Sequence, residues 1–270
     1  MSQTVNRVIK NTGFLYVKMG ITMFVSLYST RLILNTLGAS DFGIFNIVGG
    51  AIAMLGFLNS SMASATQRFM SFAEGRGDIE KKKIIFTISV VLHLLLSVIV
   101  GILLFGAGFL FFNGVLNIEQ DRIFAAKIIY TSLIVSTMFS VMSVPYDAVV
   151  NSHENMKYYA FVGIIESVLK LAIAFVCVNT SGDKLIIYGI LMACVPLFTL
   201  SIMRIYCHRN YEECVLSPRY WHRHEVKEMM NFAGLNLVNS AVIMVSAQGY
   251  SIILNSFFGT LLNAAQGIAG

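Results

Sequence analysis

Seven long apolar stretches constrain this chain more than any other feature of its sequence. Each is close to the ~20 residues that an α-helix needs to cross the hydrocarbon core of a bilayer. Lipid offers no hydrogen-bond partners, so a spanning segment satisfies its own backbone groups as a helix. The sequence therefore predicts an all-α integral membrane protein, a multi-span helical bundle. The predicted spans are 12–36, 42–66, 84–113, 124–149, 158–179, 185–207 and 230–258.

Composition and charge distribution support this class and exclude others. Hydrophobic residues make up 56% of the chain and charged residues only 12%, against roughly 25% charged residues in a soluble domain. The net charge is +5, but the basic residues cluster in alternate connections between the apolar stretches. This pattern is a topology signal and not a nucleic-acid patch. It predicts a cytoplasmic N-terminus, because basic loops stay in the cytoplasm.

A weak internal repeat indicates two related halves. Residues 31–50 and 251–270 align, and Ile33-Leu34-Asn35 corresponds to Ile253-Leu254-Asn255. Such repeats are typical of transporters built from two similar lobes. We therefore expect a six-span N-terminal lobe (1–207), a cytoplasmic inter-lobe linker (208–229), and the start of a second lobe (230–270). The last part holds span seven and the beginning of span eight, so the chain is expected to be a fragment of a protein nearly twice as long.

Three segments carry a resemblance to a known family. They are LGASDFGIFNIV at 37–48, the stretch from VPYDAVV to AFVCV at 144–178, and NFAGLNLV…LNAAQGIAG at 231–270. They resemble bacterial polysaccharide and O-antigen flippases, a branch of the MATE-like MOP superfamily that includes lipopolysaccharide biosynthesis proteins of Bacteroides-like bacteria. The resemblance implies two six-helix lobes around a central cavity, in the bacterial cytoplasmic (inner) membrane.

The resemblance also implies an activity. The protein is expected to move a lipid-linked oligosaccharide from the inner to the outer leaflet by alternating access, with membrane lipids and a missing second lobe as partners and H⁺ or Na⁺ coupling. The alternatives are a cation-coupled exporter of small molecules and an inactive half-transporter fragment. The sequence has no P-loop, and its predicted outer connections (37–41, 114–123 and 180–184) are short. We therefore expect neither an enzyme nor a cofactor.

Charges at bilayer depth are the sharpest candidates for a site, since each costs roughly 2.5–3.5 kcal/mol on insertion scales. Glu166 and Lys170 lie in the fifth predicted span and share a helix face at i,i+4. Two interpretations are equally open. The pair joins this helix to a neighbour, or it lines the central cavity, with Glu166 exchanging a proton or Na⁺ and Lys170 facing a phosphate.

Further candidates lie in the first two predicted spans. Arg31 and Lys18 are cavity candidates for an anionic substrate group, although each could instead snorkel to a membrane surface. Lys18 and Arg31 are thirteen residues apart, so they cannot both face a cavity on a straight helix. Asn46 and Asn59 lie in a polar second span and are candidates for sugar contact or for helix packing.

Three other polar groups receive structural interpretations. Asp41 is expected to cap the second span. Asp147 follows Pro145, which should kink or end its helix, and Asp147 is expected near Lys157 at the interface. The spacing of Cys207, Cys214 and the nearby histidines matches no metal motif, so no metal site is predicted.

Overall fold

A computed structural model describes residues 2–53, 55–112 and 120–243, and within these ranges it is helical with no strand. Short 3₁₀ turns occupy Gln120–Arg122 and Pro218–Tyr220, and residues 223–243 form a further helical segment. The principal helices are α1 (Ser2–Ala53), α2 (Gly56–Gly75), α3 (Ile79–Leu110), α4 (Ile123–Ser152), α5 (Met156–Asn179) and α6 (Lys184–Asn210).

Five helical segments of the described chain are long and apolar enough to cross a membrane. They match the first, third, fourth, fifth and sixth predicted spans, which confirms the expected class of multi-span helical bundle. The segments are Val5–Gly38, Ile79–Leu110, Gln120–Ser152, Met156–Asn179 and Lys184–Asn210.

The predicted second span, 42–66, is wrong as a single helix. Residues 42–53 continue α1 beyond a kink at Gly38, where φ is 80° and ψ is 169°, a conformation that is accessible essentially only to glycine. A turn at Leu55 then separates α1 from α2, with the Leu55 N–H bonded to the Ile52 carbonyl at 3.1 Å. Gly49, Gly50 and Gly56 surround this break and weaken the helix there.

The seventh helical segment begins at residue 223, seven residues before the predicted start at 230. It packs on α2, where the Ser61 hydroxyl donates to the Ala233 carbonyl. The rest of that span, the start of span eight and the second copy of the repeat lie outside the described residues.

Helix α4 is the centre of the packing and contacts α1, α2, α3 and α6. It runs unbroken through Pro145 to Ser152. The prediction that the helix could end at this proline is therefore wrong. Membrane helices tolerate proline when neighbouring helices and side chains compensate the lost bond. Gly189 of α6 lies directly against Ile129 of α4, which lets these two helices pack closely.

An arginine clamp joins three elements at one end of the bundle. Arg122 donates from Nε to Asp41 Oδ1 at 2.8 Å and also contacts Asp41 Oδ2 through Nη2. Its Nη1 donates to Asp183 Oδ2 at 3.0 Å, while Asp183 caps α6. The expected role of Asp41 as a cap is therefore corrected, because its carboxylate binds Arg122 with both oxygens.

Replacing Arg122 with methionine should lower the free energy of unfolding by about 2 kcal/mol. The change leaves two carboxylates without their shared cation, at a site only partly shielded from solvent. The measurement is thermal unfolding of purified protein in detergent. Arg209, an exposed arginine in the last turn of α6, is the matched control. Equal melting temperatures for Arg122→Met and Arg209→Met would contradict a stabilising role of the arginine clamp.

A second polar cluster lies at the opposite end of the bundle, where three connections meet. Both ring nitrogens of His153 face carboxylates: Nδ1 lies 3.2 Å from Glu74 Oε1, and Nε2 contacts Glu213 Oε1. Lys82 Nζ lies 2.6 Å from Glu74 Oε2 and 3.8 Å from Glu213 Oε1. These four residues, the loop cluster, join the ends of α2 and α4 to the start of α3 and to the segment after α6.

Candidate functional site

A groove of three adjacent cavities runs along α5, with further walls from α1, α2, α4 and α6. The Asn46 cavity is about 700 Å³, the Lys18 cavity about 110 Å³, and the Arg68 cavity about 570 Å³. The Lys18 and Arg68 cavities share Asp147 and Tyr159 as lining residues. We call the three together the polar groove.

The Glu166–Lys170 pair connects two of these cavities. Lys170 Nζ donates to Glu166 Oε1 at 2.6 Å, as the i,i+4 spacing suggests. Glu166 lines the Lys18 cavity, while Lys170 lines the Asn46 cavity. The side chains of Lys170 and Glu166 are 42% and 37% exposed, so the pair lies on the open face of the groove. Both interpretations of the pair, as packing and as a site, remain predictions.

The Lys18 cavity brings together charges from three helices. Lys18 comes from α1, Asp147 from α4 and Glu166 from α5. Lys18 Nζ lies 4.0 Å from the centre of the Tyr159 ring, a cation–π distance. Asp147 accepts a hydrogen bond from Ser143 Oγ at 3.1 Å. The expected position of Asp147 near Lys157 is thus corrected, since the carboxylate lies in the groove.

The other two cavities have mixed walls, in which polar side chains lie among a larger apolar surface. In the Arg68 cavity, Arg68 also stacks against Phe232, with Cζ 4.3 Å from the ring centre. The Asn46 cavity contains Asn46 and Lys170 together with small hydroxyl side chains of α1. The polar lining of the two cavities is Thr22, Ser26, Ser29, Thr30, Asn46, Ser167, Lys170 and Tyr188 in the first, and Ser64, Gln67, Arg68, Ser71, Asp147, Asn151 and Tyr159 in the second.

The predicted site residues do not all meet. Lys18, Glu166, Lys170 and Asn46 line the polar groove, in two neighbouring cavities. Arg31 is exposed, and Arg31 and Asn59 are not among the residues that line its three cavities. Asn59 Oδ1 is buried with no hydrogen-bond partner in the described part of the chain. Roles for Arg31 and Asn59 in a central cavity therefore stay predictions.

Sequence reasoning missed Arg68, Asp147 and Tyr159 as groove residues. A signal for Tyr159 exists: positions 159, 163, 166 and 170 follow helical spacing and form one stripe on α5. The stripe predicts that Tyr159 and Gly163 share the face of Glu166 and Lys170. No comparable pattern identifies Asp147, whose position depends on how α4 packs against α1 and α5.

The loop cluster also contains residues that could hold a metal. The ligand atoms of Glu74, His153 and Glu213 lie within 4.8 Å of one another. Lys82 Nζ, 2.6 Å from Glu74, already supplies a positive charge to this cluster. A metal ion would have to displace that ammonium group, so the cluster is better described as a salt-bridge network.

Comparison with known proteins supports the architecture. The chain superimposes on an outward-facing multidrug resistance MATE family transporter of the MOP superfamily with a TM-score of 0.80 and 12% identity, over 97% of this chain and 58% of that one. A MOP superfamily transporter from Pyrococcus furiosus Vc1 (DSM3638), described as having reversed polarity of its binding pocket, gives 0.78 and 12%, over 97% and 59%. This chain has the MATE-like transporter fold.

Sequence comparison adds a weaker relationship. No protein-family model matches the chain. The uncharacterized membrane protein EpsK of Bacillus subtilis (strain 168) is 28% identical over 139 residues, which is 52% of this chain and 26% of EpsK. The chain spans somewhat more than half the length of its structural neighbours. Together these findings support a multi-pass membrane protein that has the MATE-like fold.

Proposed function

We propose that this chain is the first lobe of a transporter that moves a lipid-linked oligosaccharide from the inner to the outer leaflet by alternating access. One observation carries the proposal: the polar groove holds three cationic side chains, Arg68, Lys18 and Lys170, against two carboxylates. A lipid-linked oligosaccharide presents an anionic phosphate group and a polar glycan. Basic groups suit the phosphate, and the hydroxyl and amide groups of the groove suit the glycan.

The proposed architecture assigns 1–207 to the first lobe, 208–229 to a cytoplasmic linker, and 230–270 to the start of a second lobe. Only 6% of the most apolar window of the first span is buried, which leaves this helix free to face lipid on one side and a second lobe on the other. A second lobe on this face would close the groove into a central cavity. We place the protein in the bacterial inner membrane with a cytoplasmic N-terminus, following the basic connections.

A cation-coupled exporter of small molecules is the second candidate. It is favoured by Asp147 and Glu166, two carboxylates that line one small cavity and are the ligand type that a coupling cation requires. In the flippase proposal the same residues serve coupling, with Glu166 as the exchange site for the driving ion. The two candidates therefore differ in substrate and not in the location of the site.

The test is deletion of the complete gene in its own host, followed by re-expression of variants at matched membrane levels. Using the native host removes any mismatch of glycan. Wild type should restore surface polysaccharide, and Glu166→Ala or Lys170→Ala should reduce it by about tenfold or more, the effect of losing one charge-assisted contact. Lys157→Ala, which removes an exposed lysine from the first turn of α5, is the control.

Two further variants separate the remaining interpretations. The double exchange Glu166→Lys with Lys170→Glu keeps the ion pair and exchanges the positions of the two charges. The double variant should be inactive if the position of each charge in the groove matters for transport. It should be active if the pair serves only helix packing. Arg31→Ala tests the predicted cavity role of that residue. Unchanged surface polysaccharide in the gene deletion would overturn the flippase proposal.

A further inference from the structure

Two residues of α5, Gly163 and Tyr159, lie against the Lys18 side chain. Gly163 lies directly beneath its stem: a Cβ atom at residue 163 would collide with Lys18 Cε and lie 2.9 Å from Nζ. The ammonium group lies over the Tyr159 ring at 4.0 Å. The space left by Gly163 and the aromatic face of Tyr159 place the Lys18 ammonium group inside the groove, whereas a snorkelling lysine would extend to the membrane surface.

The same cavity contains the ligands that a monovalent metal cation would use. Asp147 and Glu166 contribute carboxylates, and Ser143 and Thr199 contribute hydroxyl groups. Hard cations prefer such oxygen ligands. The volume of about 110 Å³ is enough for three to four water molecules at roughly 30 Å³ each, so an ion with part of its hydration shell would fit if the cavity attracted one.

We infer that Lys18 is the resident cation of this cavity and keeps exchangeable metal cations such as Na⁺ out of it. The charges from the surrounding helices already balance: Lys18 from α1 and Lys170 from α5 oppose Asp147 from α4 and Glu166 from α5, while α6 contributes the neutral Thr199. A metal ion would add an uncompensated positive charge within a few ångströms of the Lys18 ammonium group. Repulsion between like charges at this range disfavours its binding.

This inference deepens the proposed function, on which it rests for its biological meaning, by excluding Na⁺ as the ion exchanged at Glu166. The inference can be tested independently of transport, because it concerns ion binding to the protein without substrate. The test therefore needs neither the substrate nor transport. A failure of the gene-deletion experiment together with a successful ion-binding experiment would reject the flippase and keep the role of Lys18.

The experiment measures the melting temperature of the purified complete protein in NaCl and in choline chloride at equal ionic strength. For wild type the two values should agree within about 1 °C. For Lys18→Ala, and for Lys18→Gln, which keeps most of the stem without its charge, Na⁺ should raise the melting temperature by about 3 °C once its concentration is about a hundred times the dissociation constant. The response should disappear when either variant is combined with Glu166→Gln.

Lys157→Ala is the control for the loss of one positive charge and should behave as wild type does. Two results would overturn the inference. One is a Na⁺-specific rise in the wild type that Glu166→Gln removes, since the cavity would then exchange the ion with Lys18 in place. The other is the absence of any Na⁺ response in both folded Lys18 variants, since the lysine would then not be occupying a cation site.

Discussion

Replacing Gly189 with leucine is expected to destabilise the protein by about 3 kcal/mol, near the upper end for overpacking of a core. Gly189 is buried in α6, and even a Cβ atom there would lie 2.7 Å from Ile129 Cγ1 and 3.4 Å from Ile129 Cα. The second atom belongs to the backbone of α4 and is already in van der Waals contact, so a rotamer change of Ile129 could admit a Cβ atom but leaves no room for the three further carbons of leucine. Helices α4 and α6 would have to separate along their shared interface.

The measurement is thermal unfolding in detergent, where this loss corresponds to a fall of about 6–12 °C for a chain of this size. Gly106→Leu is the matched control. Gly106 is exposed on α3, and a Cβ atom there meets nothing within 4 Å. A melting temperature of Gly189→Leu within error of the control would mean that α4 and α6 do not pack this closely.

Replacing Lys82 with methionine should cost a similar amount, about 3 kcal/mol. The lysine side chain is 8% exposed and that of Glu213 is 3% exposed, so the change removes a buried cation while a buried carboxylate remains. Breaking a buried pair by removing one partner is more costly than replacing both partners. The double variant Lys82→Met with Glu213→Gln should therefore recover part of the lost stability.

The neighbouring Lys83 provides the control for this measurement. It is half-buried and lies 6.0 Å from the Tyr220 ring centre, with no carboxylate within ion-pair distance in the described ranges. Lys83→Met should change the melting temperature by less than a third as much as Lys82→Met. Similar losses for the two single variants, with no recovery in the double variant, would show that the loop cluster adds no specific stability.

The sequence predicted the spanning helices well where they are long, apolar and uninterrupted. Helices α3, α4, α5 and α6 follow directly from hydropathy, because a lipid-facing helix needs apolar residues on most of its surface. The second span failed for a local reason. The break at Gly38 falls between the first and second predicted spans, as expected, but the turn at Leu55 interrupts the second span, whose average composition is still apolar.

Contacts of the candidate site within one helix could be predicted from the sequence, whereas contacts between helices could not. The Glu166–Lys170 pair follows from i,i+4 spacing on α5 alone. The position of the Lys18 side chain depends on the contact of α1 with Gly163 of α5. The position of Asp147 depends on the packing of α4 against α1 and α5. No pattern in one sequence encodes the rotation of one helix relative to another, so these two groups required the structure.

The arginine clamp has a consequence for the order in which the chain is made. Asp41 and Arg122 are 81 residues apart, and Asp183 follows Arg122 by a further 61. At a synthesis rate of about 5–20 residues per second, Asp183 leaves the ribosome roughly 3–12 s after Arg122. Arg122 and Asp41 can therefore pair while α6 is still unmade. Asp183 directly precedes α6, so the clamp can be completed only after α1 to α5 have been synthesised, and its closure fixes the start of the sixth helix beside the pair already formed by Asp41 and Arg122.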